Sequence, residues 1–391
     1  MIFQAGHQLL IWNLRLLGIF QFKPLFYDTE SKQFAYRSQS KFNVIVVSST
    51  VVVLLINGIH TLTFSTGLTM STKAFIVTFL VGWCTGYPIA FPILNGTKTV
   101  VDLLNLIGHF EHRYLEPLSC SIKCIRCWQV RVKLCSVAAA VVSVVGPITE
   151  FAIVLREANI PTFIGSIPVN VQSGWVHGVI FAVSLVLQGF IVTAVPAAFS
   201  IMVGQVCCGT LISVAGYFSC LKKSRILKEF KYSDNLTVAV TLYRQLSVLV
   251  GQINYCFRQI VLPAILMYGI TINILTTYLT VTLKSKLVSN VGNLLYPFLA
   301  FETFLVIMGT TAGLINKTSK VIVTKMKVAL FDVVMQTGEM REDTRYMRRM
   351  IHACGPIKIR FGSNFIDTST PLVMTSFCMK TLVRLLLCSK A

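Results

Sequence analysis

Cys124 and Cys127 form a Cys-x-x-Cys pair with Cys120 just before them, and His109 and His112 stand one helical turn apart a little upstream. Thiols and imidazoles so placed could hold zinc, but a closed zinc site wants four ligands, usually as two spaced pairs. One pair with a single neighbour points instead to reduced cytosolic thiols, or to lipidation beside a membrane span. Two carboxylates, Glu150 and Glu302, sit inside otherwise apolar runs. Charge at such depth is costly and marks a water-filled cavity, a ligand contact or a hydrogen-bonded helix interface. No Walker-type loop, dinucleotide fingerprint or Gly-x-Ser-x-Gly elbow is present. The sequence therefore predicts neither an enzyme nor a metal or cofactor site.

The elements that position these residues are membrane spans. The 391 residues are 54% hydrophobic and 13% charged, against roughly 25% charged in soluble domains. Seven nearly uncharged stretches are long enough to cross a bilayer: 42–72, 74–94, 134–155, one within 158–221, 259–283, 287–315 and about 368–387. Met1 to Lys41 has apolar patches without a cleavage site and reads as mature sequence.

Orientation follows from lysine and arginine, which collect in cytosolic loops. Basic residues crowd the N-terminal segment, the loop after span two, the segment 222–258 and the segment from Lys317 to Arg360, whereas the other three loops hold only Lys73, Arg156, Lys284 and Lys286. The N-terminus is then cytosolic and the C-terminus extracellular. The fourth stretch runs 64 residues without Asp, Glu, Lys or Arg, enough for two spans. An extra span would move the later basic segments outside, so it reads as one span from about Trp175 that continues into the cytosol as a long helix. The formal charge of +20 is this topology plus attraction to anionic lipid. No separable basic domain with stacking aromatics exists, which excludes a nucleic-acid partner.

The cytosolic segments carry apolar stripes. Val100 to Phe110, Leu236 to Phe257 and Ser319 to Met335 read as amphipathic helices, the last with Ile322, Met326 and Leu330 on one face. These faces pack on one another, lie on the membrane or join subunits; Ile322, Met326 and Leu330 are the candidate oligomer anchor. Glu342 to His352 is a charged helix with acids first and arginines later, as the helix dipole favours, ended by Gly355-Pro356.

Aromatic residues gather toward the outer halves of the spans. With the two carboxylates they give a candidate ligand pocket of Glu150, Phe151, Phe181, Tyr278, Phe298 and Glu302, against the alternative of an interfacial aromatic belt. The seventh span is rich in Thr, Ser and Cys, as a helix beside a water-filled path would be. Thr370, Met374, Phe377 and Thr381 form one helical stripe, two bulky apolar side chains between two hydroxyls, suited to a gate. Ser369, Val373, Ser376, Lys380 and Arg384 form a rival stripe. The hydroxyls could instead bond back to the helix.

Two segments carry a family resemblance: YRQLSVLVGQINYCFRQIVLPAILMYGITINILTTYLT, from Tyr243 to Thr280, and IRFGSNFIDTSTPLVMTSFCMKTLVRLLL, from Ile359 to Leu387. They resemble the arthropod chemosensory receptor superfamily of gustatory and odorant receptors. The resemblance implies a multi-pass plasma-membrane receptor that binds a small-molecule tastant or odorant and conducts monovalent cations. It further implies a homo- or heterotetramer around a pore lined by span seven and held by the cytosolic helices. Gustatory members commonly show Thr-Tyr, five apolar residues, then Gln in the last span; here stand Thr370-Pro371, Leu372 to Ser376, then Phe377. Position for position, Met374 and Phe377 fall in the gate region, and Lys380 and Arg384 near the outer mouth bear on ion selectivity.

The expected organisation is a cytosolic segment 1–41, spans one to six over 42–316, anchor helices 317–362 and the pore helix 363–391. A G-protein-coupled receptor would need the opposite orientation. A secondary transporter would show internal repeats, although Pro88, Pro92 and Pro196 could break helices.

Overall fold

The computed structural model describes residues 1–19, 25–36, 41–68, 70–95, 97–115, 122–156, 174–224, 233–282, 291–337 and 342–388. Helices form nearly all of the described chain, because a backbone in lipid must satisfy its own hydrogen bonds. They run α1 Gln4–Ile19, α2 Lys41–Phe64, α3 Met70–Asn95, α4 Lys98–Phe110, α5 Ile122–Arg156, α6 Gly174–Ser200, α7 Gly209–Lys223, α8 Ser233–Phe257, α9 Val261–Thr282, α10 Val291–Thr337, α11 Glu342–Ala353 and α12 Thr370–Cys388. Two small antiparallel hairpins complete it: β1 Leu25–Asp28 with β2 Gln33–Tyr36, and β3 Arg360–Phe361 with β4 Asn364–Phe365.

Among the described residues six helical segments are long and apolar enough to cross a membrane: Val44–Phe64, Ile76–Asn95, Ile122–Ile148, Val186–Lys223, Asn235–Phe257 and Thr370–Leu387, with Val261–Leu275 of α9 shorter. The chain is an all-α, multi-pass membrane protein. Composition alone admits α8 to this set, but its buried side is one stripe, with Leu236, Val240, Tyr243, Leu246, Val250, Ile253 and Phe257 all at 2% exposure or less. Val248 and Tyr255 on its other side are well exposed. This is the amphipathic pattern expected of a helix lying in a packed layer.

From Gly174 onward the fourth apolar stretch is one helical rod. α6 passes through a π-helical segment, Ile201–Cys208, directly into α7. At ~1.5 Å per residue, the rod from Gly174 to Lys223 is more than twice the ~30 Å hydrocarbon thickness. α10 is likewise unbroken over 47 residues, so the expected boundary at 316/317 falls inside a single helix. α3 packs on α2, α6 and α9; α5 on α1 and α6; α10 on α7, α8, α9 and α11; α12 on α9 and α10.

Candidate functional site

The last helix is seated by α10. Gly309 faces Pro371, and Gly313 faces the backbone of Thr368, each so closely that a Cβ would collide. Two glycines four residues apart on one helix face let another segment approach, as small residues do between membrane helices. Sequence reading passed over this Gly-x-x-x-Gly, although the spacing was the signal for it. The start of α12 is capped locally: the Asp367 N–H donates to Thr370 Oγ1 at 2.8 Å, and the Thr368 N–H to Asp367 Oδ1 at 2.8 Å. Pro371, in the first turn, has no N–H to leave unpaired.

α12 shows the bundle one narrow face. Cys378 and Leu382 are buried, and the Cys378 thiol points at the Ile270 carbonyl at 3.9 Å. Thr370, Met374 and Thr381 lie half-buried beside them, while Phe377 is 55% exposed. Ser369, Val373, Ser376, Lys380 and Arg384 are all exposed, on the side away from the bundle. The structure therefore separates the two stripes: the outward one is the serine, valine and lysine stripe, and Phe377 borders it. One hydroxyl is spent on the helix itself, Thr375 Oγ1 donating to the Pro371 carbonyl at 3.0 Å.

Of the candidate pocket, Tyr278 is buried on α9. Glu150 and Phe151 lie on α5, Phe181 on α6, Phe298 and Glu302 on α10; their side chains fall outside the described set. Among the described residues no group of three or more His, Cys, Asp or Glu is placed to hold a metal, and Cys120 lies outside them.

Ile322, Met326 and Leu330, the candidate anchor, are 0%, 0% and 8% exposed within the single chain. They face inward because α7, α8 and α11 pack on that side of α10. A partner subunit cannot reach them without opening the layer. The opposite side of α10 carries Val328, Phe331 and Met335, each more than half exposed. The segment from 355 to 360 is stitched to this layer. The Tyr243 hydroxyl donates to the Gly355 carbonyl at 2.6 Å, Ile357 N–H to Ser319 Oγ at 3.0 Å and Arg360 N–H to Asn254 Oδ1 at 2.8 Å.

Sequence reading also passed over Glu111. This fully buried carboxylate accepts from the Phe3 N–H at 2.6 Å, the Gln4 N–H at 3.3 Å and the Tyr217 hydroxyl at 2.9 Å. It thus caps α1 and ties it to α7, with the helix dipole in its favour. Burial pushes its carboxyl above the usual range, and the three hydrogen bonds pull it back. No spacing rule flags such a residue, because its donors lie more than a hundred positions away.

No family model matches the chain, and no curated protein matches it. Among solved structures it is similar to the insect olfactory receptor OR5 from Machilis hrabei in complex with eugenol. The TM-score is 0.69 and the identity 13%, over 99% of this chain and 100% of that one. The structure of the same receptor described without eugenol gives 0.69 and 12%, over 99% of both chains. This chain has the insect olfactory receptor fold. An olfactory receptor fold at such low identity means that architecture is shared while most side chains differ.

Proposed function

We propose that this chain is a chemosensory receptor of the odorant type, a ligand-gated, non-selective cation channel of the plasma membrane. What carries the reading is the end-to-end likeness to the olfactory receptor OR5, one of whose structures is a eugenol complex. The proposal includes seven spans, a cytosolic N-terminus and an extracellular C-terminus, as the distribution of Lys and Arg favours. A small, largely apolar odorant enters the outer half of the bundle among Glu150, Phe151, Phe181, Tyr278, Phe298 and Glu302. Four copies surround a pore lined by α12.

A helix fixed to its own bundle by Cys378 and Leu382 turns its far side toward a central axis. In this reading Val373, Ser376 and Lys380 face the pore, with Phe377 at the edge as the apolar constriction and Thr370, Met374 and Thr381 behind it; the burial of Cys378 and Leu382 supports it. The subunits meet in the cytosol through the outward stripe of α10, since its inward stripe is already covered. The test is expression of the chain alone in a non-native cell, with current recorded against a chemical panel that includes eugenol. Ligand-dependent inward current supports the reading. Surface-expressed protein without current for any compound, in the presence of a family co-subunit as well, removes it.

A further inference from the structure

Between α9 and α12 lies a cleft of about 320 Å³. Pro263, Leu266, Met267 and Ile270 form one wall, Met374 the other and Phe361 of β3 the floor. Thr271 adds a single hydroxyl. A site with so little polar lining selects hydrocarbon, because nothing in it repays the desolvation of a polar ligand. Met267 on its wall is 61% exposed, so the cleft is open to the surroundings of the helices.

Its floor has a different character. α9 and α12 lie side by side; Gly362 bonds Arg258 just before both helices and Cys378 meets Ile270 further along both, so their N-termini, Val261 and Thr370, are at this end. Two positive dipole ends therefore share one rim. Arg258, just before α9, donates through Nε to the Gly362 carbonyl, and the Gly362 N–H donates to the Arg258 carbonyl at 2.8 Å. Gly362 takes a φ of +53° in the hairpin turn, a conformation glycine adopts without strain. This clip fixes the guanidinium one residue from Phe361, and no hydrogen bond engages its Nη groups among the described residues. Arg360 is exposed nearby, and Lys358 sits over the Phe365 ring at 3.9 Å. The acid of this segment, Asp367, is engaged by the Thr368 N–H.

We infer that this cleft binds an anionic phospholipid of the cytosolic leaflet, its acyl chain against Met374 and its phosphate on Arg258. The charge of the rim argues for a lipid over a second copy of this chain, whose facing surface would have to be acidic in a protein of net charge +20. Guanidinium suits phosphate because its planar fork donates in pairs. The occupant touches α12 directly, so lipid charge would bias the helix that the proposed function assigns to the pore. The inference rests on that reading only for which leaflet supplies the lipid.

The test uses full-length protein carrying Phe361→Trp, reconstituted in nanodiscs of phosphatidylcholine with a minority of phosphatidylserine, one lipid at a time bearing brominated chains. Fluorescence is compared with that of the unsubstituted protein, which retains Trp12, Trp83, Trp128 and Trp175. Brominated phosphatidylserine should quench Trp at 361 more effectively than brominated phosphatidylcholine at equal mole fraction, by about fivefold in apparent affinity per basic contact. Arg258→Gln should remove that preference, and Met374→Phe should weaken quenching by both lipids. Arg360→Gln, at an exposed side chain, should reduce the preference without touching the clip, which keeps the test valid if Arg258→Gln misfolds. Equal quenching by both lipids overturns the headgroup assignment. Absence of quenching means that a neighbouring copy covers the cleft or that it stays empty, and overturns the proposal. The readout needs no current, so failure of the channel reading leaves it intact.

Discussion

Glu111 and the outward residues of α12 matter at the residue scale for opposite reasons, one by being sealed and the others by being open. Glu111→Ala would leave the Phe3 and Gln4 N–H groups and the Tyr217 hydroxyl without their acceptor. Buried donors without partners cost about 1–3 kcal/mol each, so the thermal midpoint should fall sharply and α1 become open to limited proteolysis. The pH dependence has a definite sign. Burial raises this carboxyl in the folded chain, so its contribution is full below the ordinary Glu value of about 4.3 and is lost as pH rises through the raised value. Glu111→Gln should flatten that slope in unfolding measured from mildly acid to neutral pH. On α12, cysteine scanning from Ser369 to Arg384, with Cys378 replaced, tests the proposed pore face through a charged, water-soluble thiol reagent. Block at 373, 376, 377 and 380 is expected. Block at 370, 374, 377 and 381 instead would show that the half-buried flank turns to the axis. Lys380→Gln should then shift charge selectivity only in the first case, because a ring of positive charge disfavours cations.

At the scale of elements, α10 shows why an apolar stripe in sequence does not say which way it faces. Ile322, Met326 and Leu330 have the periodicity of a core face, and so have Val328, Phe331 and Met335. Packing by α7, α8 and α11 buried the first set and left the second open. Phe331→Asp with Val328→Asp should dissociate the proposed tetramer in native-size chromatography, with helical content retained. Ile322→Asp should instead unfold the layer that α7, α8, α10 and α11 form, since a charge sealed in an apolar core has no partner. An oligomer that survives the outward pair would remove α10 from the subunit contact. The N-terminal segment held more structure than its sequence pattern suggested. α1 and the β1–β2 hairpin are fixed by distant groups, Glu111 for the helix and Asn105 for the hairpin, where Asn105 Nδ2 and Oδ1 bond Phe34 at 2.8 Å each.

For the whole molecule, topology is the testable claim. Asn95-Gly96-Thr97, Asn235-Leu236-Thr237 and Asn316-Lys317-Thr318 are glycosylation sequons that the proposed orientation leaves in the cytosol. Asn316 is 1% exposed and so is shielded on either side of a membrane. Asn95 and Asn235 are the informative pair. Glycosidase treatment should produce no mass shift in protein made in a secretory host; a shift abolished by Asn235→Gln would reverse the orientation.

Composition, hydropathy and charge by themselves determined that the chain is helical, that it crosses a membrane several times, and that Gly174 to Lys223 is one long rod and not two spans. Those properties arise from the solvent: hydrocarbon demands internally bonded helices, and basic residues resist crossing, whatever their neighbours. Local pattern also found α4, α8 and α11, because amphipathic periodicity is read within one helix. Only the tertiary structure decided which stripe of α10 is core, which side of α12 is open, that Gly309 and Gly313 seat the last helix, and that Glu111 holds α1. Each of these depends on contacts between residues far apart in the chain, and periodicity along one helix carries no information about what another brings to its surface.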